Sequence, residues 1–230
     1  MSQRIYREEF PLSHNMEAID ASVATPLPIH QYSPESARSV RQQVQSAVKS
    51  GNYASAIALL NRLAIRHSAK AEDFNNRGLV HFWNGCYHKA IRDFNRAISL
   101  NPELPAAYNN RASYYAALGD HENALVDYDQ TIDLNPYHVR ARINRGITLR
   151  QLGRYGEAIE SLDEALLFHQ LTAEAYAERG RTFHLRGDWN CAIADYRRAL
   201  KRLPPESQNT HQQGYRHRVN AWIQELMQAA

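Results

Sequence analysis

Length, composition and charge set the first limits on this chain. It has 230 residues, 43% of them hydrophobic, and a formal net charge of only +3. Its apolar runs are far shorter than the roughly 20 residues that a membrane-spanning helix needs, so we expect a soluble protein. The first residues are charged and lack the apolar stretch of a secretory signal, which favours the cytoplasm. So weak a net charge does not by itself indicate a nucleic-acid-binding protein.

Residues 1–36 differ in kind from the rest of the sequence. They contain four prolines and show no sustained helical period, which predicts an extended N-terminal arm. Two interpretations stay open. The arm is either a leader without fixed structure, or a segment that packs along the rest of its own chain or along a neighbouring chain.

From residue 37 onward the sequence repeats with a period of 34 residues. Glycines recur at this spacing at Gly51, Gly85, Gly119, Gly153 and Gly187. Alanines share a second position, at Ala56, Ala90, Ala124, Ala158 and Ala192. A fixed period of this length indicates a repeat protein. We predict that residues 37–206 form five helix–turn–helix units, at 37–70, 71–104, 105–138, 139–172 and 173–206.

Each shared position has a physical reason. About fourteen residues of helical pattern precede every glycine, which can end a helix in the left-handed conformation. The alanines fall where the two helices of a unit should touch, because a larger side chain would push the helix axes apart. Large residues fill the space around these contacts midway along each second helix, at Leu60, Phe94, Tyr128, Leu162 and Tyr196.

The last 24 residues, 207–230, continue the pattern as a single helix. Val219, Trp222, Ile223 and Leu226 form an apolar stripe with polar residues between them. A repeat array needs a terminal element of this kind to cover the exposed face of its last unit. We therefore predict a capping helix.

Four short segments carry a family resemblance: FNNRG at 74–78, YNNRA at 108–112, NPE at 101–103 and NPY at 135–137. With the glycine and alanine positions, they resemble the tetratricopeptide repeat (TPR), in a style similar to bacterial and organellar members. The resemblance implies an all-α, right-handed superhelical solenoid whose first helices line a concave groove. The fourth unit departs from the pattern, with Arg142 at an aromatic position and Gln170 at the proline position.

A pattern of charges is not explained by the hydrophobic consensus. Arginine occupies the seventh place of four units, at Arg77, Arg111, Arg145 and Arg179, and an aspartate follows sixteen residues later at Asp93, Asp127 and Asp195. Pairing of the two helices should bring each Arg and Asp together, so we predict partly buried ion pairs within the units. Arg145 is the exception, because it should face Ser161.

The resemblance also implies where a ligand binds. The groove-lining places hold polar, charged and aromatic residues: Arg41, Asn75, Asn76, Phe82, Trp83, Asn109, Asn110, Arg140, Asn144, Arg150, Arg181, His184, His211, Tyr215 and Arg218. Asn76, Asn110 and Asn144 recur one unit apart. Their amides can clamp an extended peptide backbone, or they can cap or bridge neighbouring helices. The arginines favour an acidic ligand, while Phe82 and Trp83 offer an apolar anchor.

These features favour a non-catalytic scaffold or adaptor that binds a peptide or partner protein. The family style suggests assembly of a multisubunit complex, photosynthetic ones included. We find no nucleophile with a base, no phosphate loop and no metal-ligand spacing, so we expect no enzyme activity, cofactor or metal. Two alternatives are a regulatory subunit of an enzyme and a nucleic-acid-binding protein. The second, which we consider less favoured, rests on a C-terminal basic cluster that could also contact anionic lipid: Arg197, Arg198, Lys201, Arg202, Arg216 and Arg218.

Overall fold

The computed structural model describes residues 37–65, 69–203 and 210–229. Across these ranges the chain forms eleven α-helices and no β-strand, which confirms the all-α prediction. The N-terminal arm predicted for residues 1–36 lies outside the described residues. No helix in the described ranges is long and apolar enough to cross a bilayer.

The chain divides into two compact units, one ending at Pro102 and the other continuing from Glu103. The described helices of the first are α1 (Ala37–Lys49), α2 (Tyr53–Ile65), α3 (Ala71–Trp83) and α4 (Tyr87–Leu100). Those of the second are α5 (Pro105–Ala117), α6 (His121–Leu134), α7 (Val139–Gln151), α8 (Tyr155–Leu167), α9 (Thr172–Arg186), α10 (Trp189–Arg202) and α11 (Thr210–Ala229). In both units consecutive helices pack in pairs, as hairpins, and α11 follows the last pair as a single helix.

The turn inside each hairpin is built on the predicted glycine. All five glycines have positive φ, between +72° at Gly51 and +96° at Gly187. In the α3–α4 turn, the amide of Gly85 donates to the carbonyl of Phe82, and the amide of Cys86 donates to that of His81. These bonds satisfy the last carbonyls of the first helix, and they require a left-handed residue between the two helices. The prediction for the glycines is therefore confirmed.

The two helices of a hairpin meet at a small residue. Gly78, Gly146 and Gly180 face Phe94, Leu162 and Tyr196, and a Cβ atom added to any of these glycines would lie 2.8 Å from the facing side chain. The recurring alanines beside them, Ala56, Ala90, Ala124, Ala158 and Ala192, are all fully buried. The helices can approach this closely only because these positions carry almost no side chain.

In the fourth hairpin, formed by α7 and α8, neighbouring residues accommodate the two departures from the repeat pattern, Arg142 and Gln170. Arg142 is buried, with its guanidinium carbon 4.9 Å from the ring centroid of Phe168 and its Nε 3.3 Å from Oε2 of Glu164. A stacked guanidinium thus fills the space of the missing aromatic ring. Where Gln170 replaces proline, the chain turns into α9 through His169 and Leu171, both with positive φ.

The predicted Arg–Asp pairs are confirmed in three hairpins. Arg77 binds Asp93 at 2.8 and 2.6 Å, Arg111 binds Asp127 at 2.7 and 2.8 Å, and Arg179 binds Asp195 at 2.6 and 2.9 Å. Each contact joins both nitrogens of one guanidinium edge to both oxygens of the carboxylate, which is the strongest geometry available to this pair.

The expectation that Arg145 faces Ser161 is corrected. Ser161 donates its hydroxyl to the backbone carbonyl of Arg142 at 2.9 Å, while Arg145 Nε binds Asp129 Oδ1 at 2.6 Å, sixteen residues earlier. Arg179 likewise binds Asp163 in addition to Asp195. The side chain therefore reaches the preceding hairpin as well as its own.

The close approach inside a hairpin predicts the effect of adding one methyl group. Gly78→Ala should destabilise the protein by roughly 1–3 kcal/mol, because the fully buried Phe94 ring cannot retreat. Gly156→Ala is the matched control. It adds the same methyl to helix α8 with no heavy atom within 4 Å, and should stabilise by about 0.5–1 kcal/mol. Thermal unfolding followed by circular dichroism measures both, and equal effects would contradict the packing argument.

The ion pairs predict a second contrast. Asp195→Ala should cost roughly 3–5 kcal/mol, because Asp195 is 1% exposed and its loss leaves the partly buried Arg179 without its main counter-charge. Asp129→Ala should cost at most about 1 kcal/mol, because that carboxylate is 54% exposed. Urea denaturation of the two variants tests this, and a larger loss for Asp129→Ala would refute it.

Candidate functional site

In the first compact unit, a cleft opens between α1 and α3 with a volume of about 240 Å³. Val44 and Leu60 form its apolar base, and the polar side chains around it are Arg41, Gln45, Lys70, Glu72, Asp73 and Asn76. Arg41 and Asn76 were predicted to line a binding groove on first helices. The structure brings these two residues together in one cleft.

Charge inside this cleft is already balanced in part. Arg41 binds the buried Asp73 through Nε at 2.8 Å and through Nη2 at 2.6 Å. The hydrogen bond to Asp73 raises the pKa of Arg41. Asp73 also accepts the backbone amide of Lys70 at 2.9 Å, which fixes the start of α3. Asn76 and Gln45 are exposed, so their amides face solvent at the cleft.

The aromatic residues near the end of α3 belong to a ring cluster at the hairpin turns. Trp83 lies 5.9 Å from Tyr53, and Phe82 lies 5.8 Å from Tyr87, measured between ring centroids. Phe82 and Trp83 are half-buried by these contacts. The predicted site residue Asn75, one place before Asn76, is buried in α3.

In the second unit, the repeated asparagines differ in environment. Asn109 and Asn110 are half-buried on α5, with their side chains 3.4 Å apart. Asn144 is buried and hydrogen-bonded to the hydroxyl of Tyr128, which also lies 3.3 Å from Ser113 Oγ. Asn144 therefore bridges α6 and α7, the structural interpretation left open above. Burial raises the pKa of Tyr128.

A buried network joins α7, α9 and α11. Arg150 Nη1 donates to Glu178 Oε2 at 2.8 Å and to the Glu178 carbonyl at 3.2 Å, and the Tyr215 hydroxyl donates to Glu178 Oε1 at 3.0 Å. All three side chains are buried. Arg150 and Tyr215 were predicted to face a ligand, but the structure places them where they attach the last helix to the hairpins.

Other predicted residues surround this network. Arg181 Nη1 binds Glu225 at 2.8 Å and lies 3.2 Å from His184 Nδ1, which is 3.3 Å from the Tyr196 hydroxyl. The Arg218 guanidinium stacks 4.1 Å from the Tyr215 ring centroid. Arg140 is half-buried. The side chain of His211 lies outside the described residues.

Burial and Glu178 raise the pKa of Tyr215, whereas the positive charges of Arg218 and Arg140 oppose that effect. Arg140 therefore lies close enough to Tyr215 to act on it electrostatically. Among the described residues, no group of three or more His, Cys, Asp or Glu side chains is arranged to hold a metal ion.

Several members of the C-terminal basic cluster have structural partners. Arg216 Nη1 donates to the carbonyls of Leu200 and Leu203, at 3.1 and 2.7 Å, which satisfies the C-terminal end of α10. Arg198 binds Asp195 at 2.7 Å. Arg197 and Lys201 are exposed on α10.

Comparison with known proteins agrees with the hairpin architecture. Family models described as tetratricopeptide repeat match residues 71–104, 103–166 and 143–207. The chain belongs to the tetratricopeptide repeat family. This family and fold are those of protein–protein interaction scaffolds, and TPR proteins are typically non-catalytic. No curated protein of similar sequence was found.

Solved structures share the TPR fold. The chain is 20% identical to a thermophilic TPR protein from Thermus thermophilus, with a TM-score of 0.69 over 82% of this chain and 100% of that one. It is 18% identical to MamA, with a TM-score of 0.61 over 69% and 92% of the two chains. It is 22% identical to a TPR protein from Parabacteroides merdae ATCC 43184, with a TM-score of 0.63 over 84% of this chain and 79% of that one.

Some residues of the TPR surface were missed by reasoning from the sequence. Lys70, Glu72 and Asp73 line the first cleft, yet the groove prediction considered only recurrent positions of the first helices. Asp73 follows Arg41 by 32 residues, and the ion pair between them joins the first helices of two consecutive units. The opposite charges at this spacing could have been read from the sequence.

The environment of His184 predicts a pH dependence of stability. Burial lowers the pKa of His184 below its ordinary 6.5, Arg181 acts in the same direction, and Glu225 opposes them. Below pH 6.5 the His184 side chain therefore binds a proton more readily in the unfolded chain than in the folded chain. Its contribution to the free energy of unfolding falls as the pH falls towards the pKa that His184 has in the folded chain. The urea midpoint should drop less between about pH 7.5 and 5.5 in His184→Gln than in the parent protein.

A glutamine at position 184 does not titrate and retains an acceptor for Arg181. His88→Gln removes an exposed histidine from α4 and serves as the matched control. The control should show the same drop as the parent, and an equal drop in His184→Gln would exclude His184 as a source of the pH dependence.

Proposed function

We propose that this TPR protein is a non-catalytic adaptor that binds an extended peptide segment of a partner protein on the polar faces of its first helices. The observation that supports this most directly is the cleft between α1 and α3, lined by Arg41, Gln45 and Asn76. Each exposed amide offers both donors and an acceptor, so Gln45 and Asn76 can pair with the backbone of an extended peptide.

The chemistry of the cleft suggests what the peptide carries. Val44 and Leu60 provide an apolar base for one hydrophobic side chain. Asp73 already neutralises Arg41, and Lys70 stands near Glu72, so the cleft has little net charge. The affinity of the cleft for a peptide should therefore come from backbone hydrogen bonds and one apolar contact. Phe82 and Trp83, further along α3, are proposed to provide a second apolar surface.

The second unit is proposed to bind a partner segment through contacts of its own, with different chemistry. Arg140 and Arg218 are half-exposed cations near Tyr215, which favours an acidic group on a segment bound by this unit. Asn109, Asn110, Arg181 and His184 are half-exposed polar residues of the same unit and are proposed to contact that segment. Asn75, Asn144, Arg150 and Tyr215 are buried and are proposed to act indirectly, by holding these first helices in place.

The adaptor proposal extends to the assembly of multisubunit complexes, photosynthetic or other. The TPR style of the sequence supports this extension, because a stack of repeats offers an extended surface that can contact more than one partner. Co-purification of the chain with incomplete complexes, and its absence from completed ones, would support this role. A constant ratio of chain to finished complex would instead identify a permanent subunit.

The peptide proposal is tested with variants of the two exposed amides. Peptides selected from a displayed random library on the intact protein should bind the double variant Gln45→Ala/Asn76→Ala about thirtyfold more weakly, since two hydrogen bonds of roughly 1 kcal/mol each are lost. Fluorescence anisotropy with the purified peptides measures this, and circular dichroism checks the fold.

The matched control is Asn190→Ala/Gln224→Ala, which removes two exposed amides from α10 and α11. It should leave peptide affinity within about twofold. Equal weakening by both double variants, or no selected peptide at all, would reject the proposed site.

A further inference from the structure

A second surface of the protein, on the second helix of the last hairpin, is strongly basic. The final two turns of α10 expose four cationic side chains at Arg197, Arg198, Lys201 and Arg202. The one acidic residue in the α10 sequence, Asp195, is buried and bound by Arg179. The face therefore carries a concentrated positive charge in a protein whose net charge is only +3.

Two of these arginines are held in place by one aromatic ring. The guanidinium carbon of Arg202 lies 4.7 Å from the ring centroid of Tyr176, and that of Arg198 lies 5.7 Å from it. Arg198 Nη1 also binds Asp195 at 2.7 Å, and Arg202 Nη1 binds the Arg198 carbonyl at 3.0 Å. Each guanidinium uses one nitrogen for these bonds and retains other N–H donors.

This arrangement is preorganised for anions. Arg198 and Arg202 are one helical turn apart, so their Cα atoms are separated by about 6 Å along the helix axis. An arginine fixed by stacking and hydrogen bonds loses less rotamer entropy when it binds a ligand than one that moves freely. Guanidinium groups match carboxylates in a two-bond geometry, and the Arg198 side chain is still 53% exposed.

We propose that this Tyr176-supported basic face docks an acidic segment of a partner protein, separately from the peptide surface on the first helices. Charge complementarity supports the choice of occupant. Nucleic-acid affinity depends on the number of phosphates that a protein neutralises, and this face offers only four exposed cations. An anionic membrane fits less well, because the apolar side of α10 at Ala192, Tyr196 and Ala199 is buried in its own hairpin and cannot insert.

A fluorescein-labelled octaglutamate peptide is the probe. Arg198→Gln/Arg202→Gln should weaken its binding at least about tenfold at low ionic strength, measured by anisotropy. Lys89→Gln/Arg92→Gln removes the same charge from exposed positions of α4 and should weaken it less than about twofold. Equal loss in both variants would show attraction by net charge alone and overturn the proposal. So would binding no tighter than that of an octaglutamine peptide.

Tyr176 separates a positioned site from a simple sum of charges. Tyr176→Phe keeps the ring and should keep octaglutamate affinity, whereas Tyr176→Leu should weaken it several-fold while leaving the charge unchanged. Equal affinity of the two variants would refute the positioning role, with circular dichroism confirming that both are folded.

Competition experiments assign the class of partner. Tighter binding to a uridine homopolymer, or to vesicles containing phosphatidylserine, than to octaglutamate would overturn the proposal in favour of nucleic acid or membrane. The variant Gln45→Ala/Asn76→Ala should bind octaglutamate like the parent protein. This outcome distinguishes failure of the basic face from failure of the peptide site.

Discussion

The close approach of the two helices in each hairpin is the constraint on which the rest of the structure depends. Where Gly78 meets Phe94 and Gly180 meets Tyr196, even one added carbon would overlap the facing ring. Such a contact fixes the rotation of each helix about its axis as well as the distance between them. The seventh-place arginine then stands opposite the aspartate of the second helix, and the polar face of the first helix is left outward. The surfaces available to partners follow from this packing.

Ion pairs extend this order from one hairpin to the next. Arg179 binds Asp195 in its own hairpin and Asp163 in the preceding one, and Arg145 reaches back to Asp129. Stability in a repeat array depends on the interfaces between neighbours as much as on each repeat. A side chain that contributes to both couples them, so loss of one aspartate should affect two hairpins.

The sequence predicts the elements that depend on local chemistry and fixed spacing. The 34-residue period, the left-handed glycines and the pairing of Arg77 with Asp93 were all accessible, because helix geometry converts spacing directly into position. The partner of Arg145 was missed because only contacts within a hairpin were considered. The same sixteen-residue spacing, counted backward, contains Asp129.

The candidate site was less predictable because burial depends on packing between successive first helices. Arg150 and Tyr215 occupy places where a ligand was expected, yet Glu178 binds both in the interior. Asn144 and Asn76 share one place in the repeat, but the neighbouring Tyr128 buries the first, while the second is exposed. The position of a residue within the repeat predicts which face of its helix it lies on. The size and polarity of the residues beside it decide whether that face remains open.

Internal neutralisation then decides which charges remain for partners. Asp73 neutralises Arg41, and Glu178 neutralises Arg150, so neither cation attracts an acidic ligand strongly. On α10 the balance differs, because Asp195 is the one acidic residue in a helix that exposes four cations. Arg198 and Arg202 are held at the surface by the ring of Tyr176, where a second carboxylate could have neutralised them. A stack on a ring leaves the charge uncompensated, so the last hairpin keeps a positive potential that the chain's small net charge would not predict.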